Sequence, residues 1–172
     1  AFFARNPDPK KISIGAIIPK DIIKIFRALK DCRRYRAVNM RAHVNVIDLS
    51  REMQFSATTF FPTPETMLVA FRGTDDTLVG WKEDFNMSFM MPVPAQQSAV
   101  EYVNETAKGL FKKFWIGGHS KGGNLAAYAG IFSPEDVQRR IDSVYNFDGP
   151  GFNEAVVSTQ EFQQVDMRIR TY

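Results

Sequence analysis

The 172-residue sequence is poor in the residues that build several kinds of site, with one cysteine and two histidines. Because Cys32 has no partner, no disulfide can form within the chain, which fits a reducing compartment and predicts a cytoplasmic protein. One cysteine and scattered histidines make no ligand cluster, so we expect neither a metal centre nor a cofactor. No apolar run reaches the roughly 18 residues that a transmembrane helix needs, so we expect no transmembrane segment.

The charge is nearly balanced, with a formal net charge of +3 and 24% charged residues. One basic cluster stands out, and it is formed around Asp31 by Lys30, Arg33, Arg34, Arg36 and Arg41. A solvated helix end accounts for this cluster better than a nucleic-acid patch, which would need a broader basic surface with stacking aromatics. We therefore expect no nucleic-acid partner. A basic module that binds anionic surfaces stays open as a third interpretation of the chain.

The remaining composition, 44% hydrophobic and 13% aromatic, suits one globular domain. Pro7 and Pro9 predict a loosely ordered arm over residues 1–18, so we place the single domain at 19–172. Apolar spacing predicts helices over 20–34 and 99–110. Alternating residues at 42–46 and 53–57 predict an antiparallel strand pair. Buried strands are predicted at 66–71 and 114–116, and further strands at 143–147 and 167–172. The fold class is therefore α/β, a mainly parallel sheet with antiparallel N-terminal edge strands and flanking helices.

The most informative stretch is Gly-His-Ser-Lys-Gly at residues 118–122, between an apolar strand and an apolar helix. It fits the Gly-x-Ser-x-Gly nucleophile elbow, in which a sharp strand-to-helix turn exposes a serine hydroxyl. A serine at this turn is forced toward positive φ, and Gly118 and Gly122 remove the side chains that would collide with it. The alternative is a tight glycine turn that merely packs a helix onto the sheet. The strand–turn–helix setting favours Ser120 as a nucleophile.

A serine nucleophile needs a base, and neither histidine is suitably placed in the sequence. His119 adjoins Ser120 and would diverge from it, and His43 precedes the elbow on a polar strand face. Either the chain is a C-terminally incomplete domain whose histidine lies beyond Tyr172, or the protein does not use a triad.

Asp148 is the candidate acid, because it follows the next strand of a parallel sheet. It is equally well explained as the start of the turn Asp-Gly-Pro-Gly, and Asp166 is an alternative acid in a polar loop. The backbone N–H of Lys121 is a candidate oxyanion-hole donor, and Thr74, in the loop after an earlier buried strand, is a candidate for the second. That loop is also explained as a simple polar turn.

Three stretches together carry a resemblance to a known family: Gly-Thr-Asp-Asp-x-x-Val-Gly-Trp-Lys-Glu-Asp-Phe at 73–85, Gly-His-Ser-Lys-Gly-Gly-Asn-Leu-Ala at 118–126, and Asn-Phe-Asp-Gly-Pro-Gly-Phe at 146–152. They resemble an uncharacterised bacterial α/β-hydrolase family related to the class-3 lipases. The resemblance implies an α/β-hydrolase fold, Ser120 as nucleophile, and Thr74 with Lys121 as the oxyanion hole. Lipases usually carry leucine where Lys121 stands, and they place their acid and histidine downstream of this region.

The segment after the oxyanion loop has two interpretations. By resemblance to lipases, Leu78, Val79 and Trp81 form a small cover over the site. Otherwise Trp81 anchors, and Asp84 caps, the helix behind the loop. The following soft apolar residues are expected to fill the core: Phe85, Met87, Phe89, Met90 and Met91.

These observations favour a serine hydrolase that acts on an ester or lipid-like acyl substrate through a Ser120 acyl-enzyme. The alternative is a hydrolase-fold protein that binds an acyl ligand or a partner protein without turnover.

Overall fold

The computed structural model describes residues 21–108 and 113–172, so the predicted arm over residues 1–18 lies outside the described residues. The chain divides between Val38 and Asn39 into two units. The described part of the first unit contains helix α1 (Ile22–Asp31), inside the helical range that the sequence predicts. The free thiol of Cys32 is exposed directly after this helix. The domain boundary at residue 19 stays a prediction.

The second unit is built on one sheet of six strands, which lie side by side in chain order. The strands are β1 (Asn39–Asp48), β2 (Met53–Thr63), β3 (Thr66–Phe71), β4 (Phe114–His119), β5 (Ile141–Phe147) and β6 (Ile169–Thr171). Short turns join β1 to β2 and β2 to β3, which pair antiparallel. From β3 to β6 the neighbours are parallel, because long crossover connections separate them. The α/β fold class, with its antiparallel N-terminal edge, is confirmed.

The longer connections carry the helices of this unit: α2 (Leu78–Asn86), α3 (Pro94–Ala107), α4 (Lys121–Phe132), and the one-turn helices α5 (Glu135–Gln138), α6 (Glu154–Val157) and α7 (Gln160–Gln163). A 3₁₀ turn at Asp166–Arg168 precedes β6, so the last strand begins two residues later than the sequence predicts. No helix in the described ranges is long and apolar enough to cross a membrane.

Helices α3 and α4 pack with the sheet around one hydrophobic core. Tyr102 of α3 makes edge-on contacts with Phe55 of β2 and Phe71 of β3, at ring-centroid distances of 6.2 Å each. Helix α4 is buried from Lys121 to Ile131. Because β3, β4 and β5 are parallel, their carboxyl ends meet at one edge of the sheet, where three connecting loops approach one another.

Candidate active site

Ser120 lies between the last residue of β4 and the first residue of α4, at φ 54° and ψ −131°. The positive φ that the sequence predicts for this turn is confirmed. A residue other than glycine in such a conformation costs about 1–3 kcal/mol, and it persists only where its surroundings hold it. The chain therefore maintains a strained turn at the carboxyl end of a central strand.

The two glycines around Ser120 are required by contacts that differ in detail from the expected ones. A Cβ atom placed on Gly118 would lie 2.4 Å from the carbonyl carbon and oxygen of Gly122, and one on Gly122 would lie 2.4 Å from the carbonyl oxygen of Phe71. The collisions that glycine avoids are thus between the strand, the helix start and β3, rather than with the serine side chain. Helix α4 begins so close to β3 that neither position accepts a side chain.

The loop after β5 lies directly beside this turn. The N–H of Ser120 donates to the carbonyl oxygen of Phe147 at 2.9 Å. One turn along α4, the side-chain amide of Asn124 donates to the carbonyl oxygen of Pro150 at 2.9 Å. Asp148 lies between these two contacts, exposed and at φ 51°, and its N–H donates to the carbonyl oxygen of Tyr172. The structure therefore brings Asp148 to the same edge as Ser120. Asp166, the alternative acid, lies in the 3₁₀ turn before β6. Because β6 runs parallel to β5, this turn is at the opposite edge of the sheet from Ser120 and Asp148.

The loop after β3 approaches Ser120 from the other side. A Cβ atom on Gly73 would lie 2.8 Å from the carbonyl oxygen of His119 and 3.5 Å from Cβ of Ser120. The next residue, Thr74, is partly buried, and its hydroxyl donates a hydrogen bond to Oδ2 of Asp84 on helix α2. The predicted oxyanion-loop residues and the serine turn are therefore neighbours.

Helix α2 is capped by Thr77, whose hydroxyl accepts a hydrogen bond of 3.1 Å from the N–H of Gly80. The prediction that Asp84 caps this helix is wrong, since Asp84 lies in its last turns and binds Thr74 instead. Burial raises the pKa of the Asp84 carboxyl above its ordinary value of 3.8, although the Thr74 hydrogen bond and the charge of Lys121 act in the opposite direction.

The side chain of Lys121 points into the protein and is 1% exposed. Its ammonium group donates to Oε2 of Glu83 at 2.8 Å and to the carbonyl oxygen of Gln54 at 2.9 Å. Glu83, also fully buried, accepts further hydrogen bonds from the N–H groups of Gln54 and Ala95, each at 2.9 Å. An ammonium group held this way is committed to structural contacts, so the side chain of Lys121 is no candidate for a base acting on Ser120.

Sequence reasoning missed Glu83 and its partner Gln54. The available signal was a lysine at the start of an otherwise apolar helix. Such a lysine is buried only when an acidic partner is present. The spacing between residues 83 and 121 does not reveal that partner, because helix α3 and β4 lie between them in the chain.

His43 and His119 are the two histidines of this sequence that could be considered as a base for Ser120. His43, on β1, is exposed and its Nδ1 lies 2.8 Å from the hydroxyl oxygen of Thr58. His119 is the exposed last residue of β4. Within residues 21–108 and 113–172, no hydrogen bond joins either histidine to Ser120.

The segment proposed as a cover is strongly exposed. The exposed fractions are 84% for Leu78 and 55% for Trp81, whereas Val79 is half-buried. The indole N–H of Trp81 donates to the carbonyl oxygen of Asp75 at 3.1 Å, so this residue does anchor α2 to the loop after β3. The expectation that the soft apolar residues after it fill the core is wrong for Phe85 and Phe89, which are 70% and 68% exposed, whereas Met91 packs against a small buried cluster around Ile131.

Phe89 and the neighbouring methionines border a cleft of about 450 Å³ beside Asp84. One wall is soft and apolar and the other is formed by α4 and the loop after β5; the lining residues are Asp84, Met87, Ser88, Phe89, Met90, Met91, Asn124, Pro150, Gly151 and Asn153. The cleft therefore adjoins the residue that holds Thr74. In the part of the chain that the structure describes, no group of histidine, cysteine and acidic residues could hold a metal ion.

The mixed sheet, the flanking helices and the sharp turn between β4 and α4 define a lipase-like α/β-hydrolase fold. The chain belongs to the Mbeg1-like family, whose sequence profile matches residues 29–172. Among solved structures it is similar to the M37 lipase, with a TM-score of 0.54 and 16% sequence identity. The match covers 87% of this chain and 57% of the M37 chain, so this chain spans little more than half of that protein. No curated protein matches the sequence.

Proposed function

We propose that this protein is a serine hydrolase that cleaves an ester or a related acyl substrate through an acyl-enzyme at Ser120. The observation that carries the proposal is the conformation of Ser120, a non-glycine residue at positive φ between a central strand and a fully buried helix. This conformation supports the proposal of a nucleophile elbow, in which the turn presents the hydroxyl at the sheet edge. The relationship to class-3 lipases that the motifs indicate belongs to the same proposal.

In the proposed mechanism the Ser120 oxygen attacks the acyl carbonyl while a base takes its proton. The carbonyl oxygen becomes an oxyanion, which accepts hydrogen bonds from the backbone N–H groups of Lys121 and Thr74. Collapse of the tetrahedral intermediate breaks the ester bond, and the alcohol leaves with the proton that the base returns. Water then repeats the sequence on the acyl-enzyme and releases the acid.

We propose that neither histidine of this sequence supplies the base, since His43 is engaged with Thr58 and no hydrogen bond joins His119 to Ser120 in the described ranges. We propose that a histidine of a longer form of the polypeptide fills this role. Asp148 is the proposed acid that orients that histidine, because its position after β5 brings it to the edge where Ser120 lies.

The cleft beside Asp84 is the proposed acyl-binding site. Its volume of about 450 Å³ falls in the range of small-molecule pockets. Methionine and phenylalanine side chains line one wall and adapt readily to apolar chains. Leu78, Val79 and Trp81 are the proposed cover, consistent with the exposure of Leu78 and Trp81 on the first turn of α2. The single exposed cysteine is compatible with a cytoplasmic location, which we also propose.

One observation favours binding without turnover as a second candidate function. Neither histidine of the sequence is joined to Ser120 in the described ranges, so a chain limited to these residues has a shaped site and no base. Such a protein would hold an acyl ligand in the same cleft.

The two functions are separated by fluorophosphonate labelling and nitrophenyl ester hydrolysis with the full-length polypeptide. We expect labelling at Ser120 and hydrolysis, both abolished in Ser120→Ala and both retained in Ser158→Ala, whose serine is exposed at the end of α6. Labelling and hydrolysis that survive Ser120→Ala would overturn the proposed nucleophile. A full-length protein that is inert toward both reagents but binds a fatty acid would support the binding function.

A further inference from the structure

Two adjacent carboxylates of helix α2 each hold a residue of the site, one at the start of α4 and the other in the loop after β3. Glu83 binds the ammonium group of Lys121 at 2.8 Å, and Asp84 accepts the hydrogen bond of the Thr74 hydroxyl. Lys121 and Thr74 are the two residues whose backbone N–H groups form the proposed oxyanion hole. One short helix therefore contacts both halves of that hole from behind.

The Glu83–Lys121 pair is the less expected of these contacts. Both side chains are essentially inaccessible, with exposed fractions of 0% and 1%. Removing two charges from water carries a desolvation cost that their attraction only partly repays, so an apolar pair of similar volume stabilises a core at least as well. Stability alone therefore does not explain a lysine at this position.

The geometry of the pair fixes Lys121 more closely than an apolar side chain would. Its ammonium group reaches β2 through the carbonyl oxygen of Gln54 and α2 through Glu83. Glu83 in turn receives N–H groups from Gln54 and from Ala95 at the start of α3. Hydrogen bonds to charged groups are directional and strong, so the first residue of α4 is held relative to β2, α2 and α3 at once.

We infer that the buried Glu83–Lys121 ion pair is a positioning element of the oxyanion hole, which fixes the backbone N–H of Lys121 relative to Thr74. This inference rests on the proposed function. An oxyanion hole needs its donors at about 2.7–3.1 Å from the developing charge, and a displacement of about 1 Å costs roughly 100-fold in rate. With Asp84 holding Thr74, helix α2 sets the spacing between the two donors.

The test compares the full-length protein with the double variant Lys121→Met/Glu83→Gln, which removes both charges of the pair together and so leaves neither of the two without its partner. Asp84, whose Oδ1 lies 4.0 Å from the same ammonium group, keeps its hydrogen bond from the Thr74 hydroxyl in this variant. The matched control is Lys82→Met/Glu52→Gln, which removes a neighbouring ion pair between the same helix and the same strand region. That control pair is exposed, with side-chain exposures of 60% and 40%.

The readouts are kcat and KM on nitrophenyl butyrate, corrected for the active fraction by burst titration, and the affinity of phenylboronic acid. The Ser120 oxygen adds to the trigonal boron while its proton passes to the base, and the resulting tetrahedral anionic adduct places a boron-bound oxygen where the oxyanion develops. We expect kcat and boronate affinity both to fall about 10- to 100-fold in the double variant while KM changes less than about threefold. The control variant should match the wild type in all three values.

A purely structural pair gives a different result: the thermal midpoint and the active fraction fall, while kcat per active site and boronate affinity stay at the wild-type values. That outcome would overturn the inference and leave the proposed function intact. If the double variant does not fold, Lys121→Gln, which keeps a donor toward Glu83, must show the same joint loss of kcat and boronate affinity for the inference to stand. A wild-type protein that neither turns over esters nor binds the boronate would overturn both the inference and the proposed function.

Discussion

The backbone N–H of Ser120 donates a 2.9 Å hydrogen bond to the carbonyl oxygen of Phe147. This bond continues the pairing between β4 and β5 one residue beyond the last residue of β4, into the turn itself. The neighbouring strand thus holds Ser120 at its positive φ, and the carbonyl oxygen of Ser120 accepts from Gly123 at 2.8 Å to start helix α4. The strain at this residue is local, and the surrounding sheet and helix maintain it.

Replacing Ser120 by glycine or by alanine should separate this strain from the chemistry. Both variants lose the hydroxyl, so neither should be labelled by fluorophosphonate. Glycine adopts positive φ without the Cβ penalty, whereas alanine retains it. We therefore expect the free energy of unfolding of Ser120→Gly to exceed that of Ser120→Ala by about 1 kcal/mol in urea titrations. Equal stabilities would show that the turn is not strained.

The close approach of α4 to β3 predicts a strong effect of Gly122→Ala. The added Cβ would meet the carbonyl oxygen of Phe71 at 2.4 Å, a backbone atom of a central strand that cannot move aside. We expect a loss of about 3 kcal/mol or more of unfolding free energy, at the upper end of overpacking effects. Gly151→Ala is the control, because a Cβ there meets nothing within 4 Å and should change stability by less than about 0.5 kcal/mol. Similar unfolding midpoints for the two variants would contradict the packing described for α4.

The buried carboxyl of Asp84 predicts a dependence of stability on pH. Burial raises its pKa in the folded state above 3.8, so the folded protein binds this proton more tightly than the unfolded chain does. The protonated carboxyl therefore adds to the free energy of unfolding, fully below pH 3.8, and this contribution is lost as the pH rises through the raised pKa. Measured against Asp84→Asn over that pH range, the wild type should lose unfolding free energy as the pH rises. A difference that is constant or that grows with pH would show that the carboxyl is not destabilised by its burial.

Under the proposed function, the cleft beside Asp84 predicts which acyl chains are accepted. Gly151 lines the cleft and has open space where a side chain would begin, so Gly151→Phe should fill part of the cleft. We expect kcat/KM for nitrophenyl octanoate to fall at least about tenfold relative to nitrophenyl acetate, as removing apolar contacts from a pocket does. Gly151→Ala should leave the ratio unchanged. A ratio that is also unchanged in Gly151→Phe would place the acyl chain elsewhere.

The sequence predicted the sheet because its strands differ in hydrophobic pattern. Residues 66–71 are continuously apolar, as a central strand requires, and the alternation at 53–57 marks a neighbour of the antiparallel edge. The positive φ of Ser120 was predictable as well, because Gly118 and Gly122 flank it at the spacing that such a turn requires.

The contacts behind the site were not predictable from the sequence in the same way. Nothing local distinguishes Glu83, which is fully buried, from Asp84, which borders the cleft, and both sit in a run that also contains the exposed Lys82. Which carboxylate turns inward depends on where α2 lies on β2, and that is fixed by tertiary packing. The exposure of Phe85 on α2 and of Phe89 just after it has the same origin, since apolar side chains indicate a core that this part of the chain does not provide.

The antiparallel start of the sheet has a consequence for how the rim of this site can vary. Because β2 runs against β3, the hairpin turn at residues 49–52 emerges at the edge where β3 ends, and Glu52 in that turn forms an ion pair with Lys82 of α2. Exposed hairpin turns accept insertions at small entropic cost. A lengthened turn at this point would add chain beside α2 without changing any residue that holds Ser120, Thr74 or Lys121. Under the proposed function, the edge hairpin is therefore a place where relatives with longer or shorter turns would differ in the substrates they accept while keeping the same turn at Ser120.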